Sequence, residues 1–255
     1  MSETRKKTSF QRVEPLIKVV NLHKSYLSGE KELEVIKGIN LEIFEGESIA
    51  LLGESGAGKS TLLCLLAGLE KPTKGKIFWQ GEDISKFSDA QKADLRRKGM
   101  GFVFQFFNLL PELSALENII LPGLIDRQPL SGVQEKAEKI LKELKLSHRA
   151  LHYPYALSGG EQQRVAIGRA IINSPVILFA DEPTGNLDKT TAEKILELML
   201  HLVQSRNSSL FIATHQEELA LKMDRVIKIM DGKIVDHKPP DIVGAGEKSR
   251  FMVES

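Results

Sequence analysis

The chain has 255 residues, 42% hydrophobic and 27% charged, which is enough apolar material for a core and too much charge for a chain lying mostly inside a membrane. Lys plus Arg number 35 against 34 Asp plus Glu, so no overall field draws the chain to nucleic acid, and no nucleic-acid partner is expected. The single cysteine, Cys64, excludes an internal disulfide and fits a reducing compartment; among Leu62, Leu63, Leu65 and Leu66 it reads as a small buried hydrophobe.

Residues 1–14 open with Met-Ser-Glu-Thr-Arg-Lys-Lys and contain no apolar h-region, so they read as a flexible tail and not a signal peptide. Arg5, Lys6, Lys7 and Arg12 could touch anionic lipid, but in so short a run they read first as solvated charge. No run approaches the ~18 consecutive apolar residues of a membrane span, so any membrane role has to come through a partner. From Pro15 the alternating runs Leu16–Val20, Leu22–Leu27, Leu33–Ile36 and Ile39–Phe44 predict strands of a small antiparallel region. Ser48–Leu52 is nearly pure apolar, as in a strand buried on both faces, and Lys59–Ala67 predicts a helix closed by Gly68. Lys76–Trp79 with Gln80-Gly81 reads as a strand and turn.

Ser114–Ile125, Val133–Leu146 and a helix opening at Ser158 suggest a separate helical subdomain at about 106–172. Apolar strands follow at Val176–Ala180, Ser209–Ala213 and Val226–Met230, separated by helices at Thr190–Gln204 and Glu217–Lys222. This alternation argues for an α/β fold with a parallel sheet and covering helices. Asp231-Gly232 closes a terminal hairpin, and the folded domain is expected over 15–236, with 237–255 a flexible tail.

Between the strand Ser48–Leu52 and the following helix lies Gly53-Glu54-Ser55-Gly56-Ala57-Gly58-Lys59-Ser60, which matches G-x-x-x-x-G-K-[ST] in the context that motif requires. Its glycines let backbone amides curl around phosphate oxygens, and the helix N-terminus adds free N–H groups and a favourable dipole. Lys59 is placed for the β- and γ-phosphates of ATP, Ser60 for Mg²⁺, and Thr61 for the α/β-phosphates. The strand Val176–Ala180 ends in Asp181-Glu182-Pro183. Asp181 fits a carboxylate that orients Mg²⁺ through water, and Glu182 fits a general base for the attacking water. The bland reading of such a pair, a cap or a solvated loop, is outweighed by the apolar run before it and Pro-Thr-Gly after it.

Leu157-Ser158-Gly159-Gly160-Glu161-Gln162 contains a capping box, with Ser158 at N-cap and Glu161 at N3. Its continuation through Gln163-Arg164-Val165-Ala166-Ile167-Gly168-Arg169-Ala170 resembles the signature helix of ATP-binding cassette (ABC) ATPases almost residue for residue. The resemblance spans about Pro15 to Asp236. It implies a P-loop NTPase fold with a mixed sheet, an N-terminal antiparallel region and an inserted helical subdomain. It also implies two facing half-sites, so that this chain acts as a homodimer in which one copy's signature segment clamps the γ-phosphate held by the other.

By the same resemblance Gln105 is the glutamine that senses Mg²⁺ and the attacking water, and His215 is the switch histidine on the γ-phosphate. Tyr26 takes the place of the aromatic that stacks on adenine. Gly185-Asn186-Leu187-Asp188 resembles the loop coupling the two sites, although Asp188 also fits a plain helix cap.

The stretch Phe104–Ile119, with Leu121-Pro122 and Asp181–Asp188, is similar to ATPase subunits of lipoprotein-releasing and macrolide-exporting systems. Those resemblances imply ATP hydrolysis at the cytoplasmic face of the inner membrane, coupled to integral membrane permease subunits with a large periplasmic region. Phe106, Phe107, Leu109 and Leu110 are then expected to help form the groove for the permease, or else to pack within the helical subdomain. The alternatives are a macrolide or peptide efflux system and an envelope regulator of the cell-division type. Soluble ABC proteins acting on DNA or ribosomes resemble fused tandem cassettes or carry long insertions, and this chain has neither.

Overall fold

The computed structural model describes residues 14–237 with the exception of residue 30. The tails expected at 1–14 and 237–255 therefore fall almost entirely outside the described residues.

The N-terminal region is a sheet in the order β2-β1-β4-β5, built from β1 (Ile17–Ser28), β2 (Lys31–Ile43), β4 (Lys74–Trp79) and the short β5 (Glu82–Asp83). The four short runs expected before Phe44 are in fact two long strands. The register of β1 on β2 slips between Val19 and Leu22, where Asn21 takes φ +46°. Gly38 does the same on the partner strand at φ +74°. Each bulge resets the period-two alternation, so one continuous strand reads in the sequence as two.

The second sheet has the order β10-β9-β3-β8-β7-β6. Its strands β3 (Ser48–Leu52), β6 (Met100–Phe104), β7 (Ile177–Asp181), β8 (Ser209–Thr214) and β9 (Arg225–Met230) pair in parallel, and β10 (Lys233–His237) closes the edge antiparallel to β9. All of β3 and β8 is buried. The reason is visible in how alternate residues divide between two cores. Ile49, Leu51, Phe179 and Phe211 face the side shared with the antiparallel sheet and helix α1 (Lys59–Leu66). Ala50, Leu52, Leu178 and Ile212 face the opposite side, covered by helices. Both faces of these strands therefore carry side chains that must leave water, which is why they read as unbroken apolar runs.

The helical cover consists of α3 (Ala115–Ile125), α4 (Leu130–Glu143), α5 (Gly159–Ile171) and α6 (Lys189–Ser205), with the short α7 (Glu217–Ala220) near the end of β8. Gly168 on α5 lies where a Cβ would meet Leu144 and Ile119 at 2.8–2.9 Å, so glycine sets how closely these helices cross. Helix α2 (Asp89–Gly99) and strand β6 were not anticipated as elements. Along α2 only Lys92 and Gly99 are buried, so it offers no apolar stripe to read. Its start is marked only by the reciprocal Ser88–Gln91 capping box. No helix among the described residues is long and apolar enough to cross a membrane.

Candidate functional site

The C-terminal ends of β3, β6, β7 and β8 deliver the polar residues of the site to one edge of the parallel sheet. After β3 the chain turns through Gly56 at φ +81° and Gly58 at φ +102° into α1. Gly58 is the N-cap of that helix, and no side chain caps it and no acidic residue stands in its first turn. The polarised amides of this helix end are thus left without an internal partner charge, the condition under which such an end binds an anion.

A cavity of about 760 Å³ opens over this turn. The loop residues Glu54, Ser55, Gly56, Gly58, Lys59, Ser60 and Thr61 form its floor, and Gln105, Glu182 and His215 stand on its rim. Val35 of β2 adds an apolar wall. The sequence offered no signal for Val35, which sits in an ordinary alternating strand. Another cleft of about 640 Å³, lined by Trp79, Phe87 and Leu95 with Asp94 and Lys98, shares no residue with this cavity.

Lys59 is 7% exposed, and its Nζ donates to the Gly53 and Glu54 carbonyls at 2.8 and 3.0 Å while lying 3.3 Å from Glu182 Oε1. Gly53 closes the loop's start, with its amide on the Thr214 carbonyl at 3.2 Å. A Cβ on Gly53 would stand 2.5 Å from the Ile229 carbonyl, so only glycine fits there. Ala57 sits at the boundary of burial beneath the turn.

At the end of β7, burial pushes the Asp181 carboxyl up and the adjacent Glu182 charge adds to this, while the Ser60 hydroxyl and Lys59 oppose it. The buried Asp181 Oδ1 has no hydrogen-bond partner among the described residues. A desolvated carboxylate with an orphaned oxygen beside a serine hydroxyl fits a hard divalent cation, which prefers oxygen donors. No group of three or more His, Cys, Asp or Glu that could hold a metal exists among the described residues. A cation here would therefore rely on the single Asp181 carboxylate with hydroxyl, amide and phosphate oxygens. Ser60, Asp181 and Gln105 are the residues expected to hold it.

Glu182 adopts φ +45°, a left-handed conformation uncommon for a residue with a side chain. Its amide is held by the Ala213 carbonyl at 2.9 Å, and both carboxylate oxygens lie 3.0 Å from His215 Nδ1. His215 itself is 57% exposed, so Glu182 is held from behind by β8 and from the front by a solvent-exposed imidazole.

Tyr26 does not line this cavity. Its hydroxyl donates to Glu70 Oε2 at 2.6 Å and the Lys24 ammonium lies 4.7 Å from its ring centroid. Burial first, and then the Glu70 contact, push the phenol up to about 12.

The segment Leu157–Gln162 likewise stands apart from the cavity. Ser158 caps α5, with its amide and hydroxyl on Glu161 Oε2 at 2.8 and 2.9 Å, and Glu161 N returns to Ser158 Oγ at 3.3 Å. Arg149 Nε holds the other Glu161 oxygen at 3.0 Å, and Gln162 Nε2 donates to the Leu157 carbonyl at 3.1 Å. Leu157 is buried while Ser158 is exposed, with Gly159 and Gly160 partly so. The residues of the glycine-turn cavity and this capped, glycine-lined helix end are thus two separate surfaces of one chain. Asp188 Oδ1 accepts from Thr191 N at 3.0 Å and caps α6.

The apolar residues after Gln105 divide. Phe106 and Leu110 are exposed at 73% and 40%, whereas Leu109 packs against the helical core. Phe107 and Asn108, both at positive φ, are held by Arg169 of α5 through their carbonyls at 2.9 and 2.6 Å. Gln163 of α5, fully buried, donates to the Pro183 carbonyl at 2.6 Å. These two positioning contacts, and that of Asn186 on Gln105, depend on tertiary placement and left no mark in the sequence.

The family model described as ABC transporter matches residues 36–185. The chain belongs to the ABC transporter family. It is an ATPase cassette of that family. Relatives include the lipoprotein-releasing system ATP-binding protein LolD of Geobacter metallireducens, 48% identical over 220 residues, which are 86% of this chain and 98% of that one. The LolD of Legionella pneumophila is 47% identical over 84% of this chain and 94% of its own. Among solved structures, the dimeric post-hydrolysis state of the ATP-binding cassette MJ0796 bound to ADP and Pi matches with a TM-score of 0.81. It is 39% identical and covers 87% of this chain and 97% of its own. CbiO1 of Clostridium perfringens matches at TM-score 0.80 and 29% identity, covering 89% of each chain.

Proposed function

We propose that this cassette is the ATP-hydrolysing subunit of a lipoprotein-releasing system. In this reading two copies bind two ATP, close on them, and drive integral membrane permease subunits that carry a large periplasmic region. The observation that carries the chemistry is the meeting of Lys59, Glu182, His215 and Gln105 at one cavity on the sheet edge. The cargo reading rests on the LolD relatives, which match over nearly their whole length.

Bound phosphates take the place of the Gly53 and Glu54 carbonyls around Lys59, and the free amides of the glycine turn supply further donors. Mg²⁺, held by Ser60, Gln105 and Asp181, supplies charge neutralisation on the phosphate oxygens. Thr61, next on α1, reaches the α/β-phosphates, and Tyr26 stacks on the adenine. Glu182 takes a proton from the attacking water as the γ-phosphoryl group departs from ADP. His215 orients Glu182 through Nδ1 and turns to the γ-phosphate on closure. The second copy contributes Leu157–Gln162: Ser158 with the small Gly159 and Gly160 presents amides to the γ-phosphate, and Glu161 and Arg149 stiffen that end. The stretch 185–188, ending at Asp188, couples the two sites.

The domain acts over 15–236, and the helical part at about 106–172 meets the permease through Phe106 and Leu110. The assembly sits peripherally at the cytoplasmic face of the inner membrane, with Mg²⁺ and ATP as its cofactors and no nucleic acid.

The test is affinity purification of the tagged Glu182→Gln protein from detergent-solubilised membranes, with mass spectrometry of what co-purifies. A permease pair with a periplasmic domain, which releases lipoprotein when reconstituted with the unmodified protein, is the expected result. A single efflux permease or a division protein moves the output to macrolide or peptide export or to envelope signalling and refutes the cargo reading.

A further inference from the structure

Gln105 follows the last residue of β6 and lines the cavity beside Glu182 and His215. A single side chain on the neighbouring loop, Asn186, makes two polar contacts with it. Asn186 Nδ2 donates to the Gln105 main-chain oxygen at 3.0 Å, and Gln105 Nε2 donates to Asn186 Oδ1 at 3.3 Å.

The chemistry of this pair leaves one arrangement. A main-chain carbonyl can only accept, so the end of the Asn186 amide facing it must be the NH₂. The other end, Oδ1, then faces the Gln105 carboxamide, and only an N–H can pair with it. The orientation of both amides thus follows from the one group in the chain of bonds whose role is fixed. What remains is Gln105 Oε1, to which no group among the described residues donates. Gly185 makes the fit possible, because a Cβ there would stand 2.9 Å from Gln105 Nε2.

We propose that Asn186 is a positioning residue that turns the Gln105 carboxamide oxygen toward the cation accompanying ATP. A glutamine is a ligand through its oxygen only, and a free carboxamide presents either end to the site. By binding the nitrogen end and the main chain at once, Asn186 removes the wrong rotamer before the cation arrives. Because Asn186 stands exposed on the loop that follows Glu182, whatever moves that loop also resets the cation ligand. The inference rests on the reading of Gln105 as a cation ligand.

The test uses the full chain carrying Glu182→Gln and a fluorescent ATP analogue. Its Kd is measured in Mg²⁺ and in EDTA, and the ratio reports what the cation adds to binding. Asn186→Ala is expected to lower that ratio about tenfold, in the range seen for residues that orient metal ligands, while the EDTA Kd stays within about twofold. Gln105→Ala is expected to lower the ratio similarly, and the double variant no further. Gln105→Glu supplies the decisive sign. A carboxylate ligates the cation but has no N–H for Asn186 Oδ1, so in that background Asn186→Ala raises the ratio instead of lowering it.

Equal loss in Mg²⁺ and EDTA, additive losses in the double variant, or the same sign in the Gln105→Glu background overturns the proposal. If the parent binds the analogue and responds to Gln105→Ala while Asn186→Ala does nothing, only the positioning role falls. If the parent binds no analogue, the nucleotide reading of the site falls, and this inference falls with it.

Discussion

Replacing Glu182 with Gln should slow turnover and tighten ATP binding at the same time, and the two effects have separate causes in the structure. Losing a positioned general base costs about two to four orders of magnitude in rate. The second effect comes from charge. Glu182 lies 3.3 Å from the Lys59 ammonium, whose side chain is 7% exposed, and an arriving γ-phosphate must compete with that carboxylate for the same cation. Two unit charges about 4 Å apart interact by roughly 4 kcal/mol at the effective dielectric of a protein surface. About a third of this survives in a cavity open to water, ~1.4 kcal/mol, which corresponds to about tenfold in Kd.

The neutral amide keeps the shape of Glu182 and the reach to His215, so it should leave the fold intact. Steady-state phosphate release and ATP binding by equilibrium fluorescence, measured on the same preparation, check both halves. Turnover within tenfold of the unmodified protein would refute the general-base assignment. Weaker ATP binding would refute the competition for Lys59.

Gly159→Ala separates folding from assembly: the added Cβ would meet Leu187 at 3.4 Å and Phe107 at 3.7 Å, ordinary contacts, so Tm should hold within about 2 °C. If the Ser158 helix end faces the second copy's phosphate as proposed, the added methyl should still crowd that contact, and the ATP-dependent dimer of the Glu182→Gln protein should be lost in size-exclusion chromatography. Asn118→Ala removes a fully buried amide that bonds Leu110 through N–H and C=O and also the Leu113 and Ser114 carbonyls. It should cost about 2–3 kcal/mol, or roughly 4–12 °C in Tm by calorimetry. Tyr26→Phe should leave ATP affinity unchanged, whereas Tyr26→Ala should weaken it about tenfold if the ring stacks on adenine. Equal losses in the two titrations would place the role in the hydroxyl.

The Glu161 carboxyl is held below its ordinary range by the Ser158 amide, with the Ser158 hydroxyl and Arg149 adding to this. A carboxylate lowered in the folded state stabilises above its unfolded pKa, and that stabilisation is lost as pH falls through the folded value. The Tm difference between the unmodified protein and Glu161→Gln should thus be largest near about pH 7 and shrink in the acid range below about pH 4.

Much of the site was legible in the chain because its parts are local. A glycine-rich turn between an apolar strand and a helix, an acidic pair closing a buried strand, and a Ser-x-x-Glu box each state their own conformation. Ser158 and Glu161 form the box read from their spacing. Asp188 caps α6, which was one of its two readings. The doubly buried strands were readable for the same reason, since burial on both faces removes polar residues from the whole run. The bulges at Asn21 and Gly38 and the nearly stripe-free α2 were not readable, because alternation and amphipathicity carry information only where the element is regular and buries a face.

What the sequence determined by itself was the inventory of the chemistry: which groups exist, in what local conformation, and in which family of proteins they recur. Only the tertiary structure decided their company. Residues as far apart in the chain as Lys59, Glu182 and His215 meet because β3, β7 and β8 end at one sheet edge, and the amide of Gln105 is oriented by Asn186, 81 residues away. Local spacing cannot encode such pairs, because they depend on which strand lies beside which. That order is set by burying two apolar faces at once, a property of the whole chain and not of any segment.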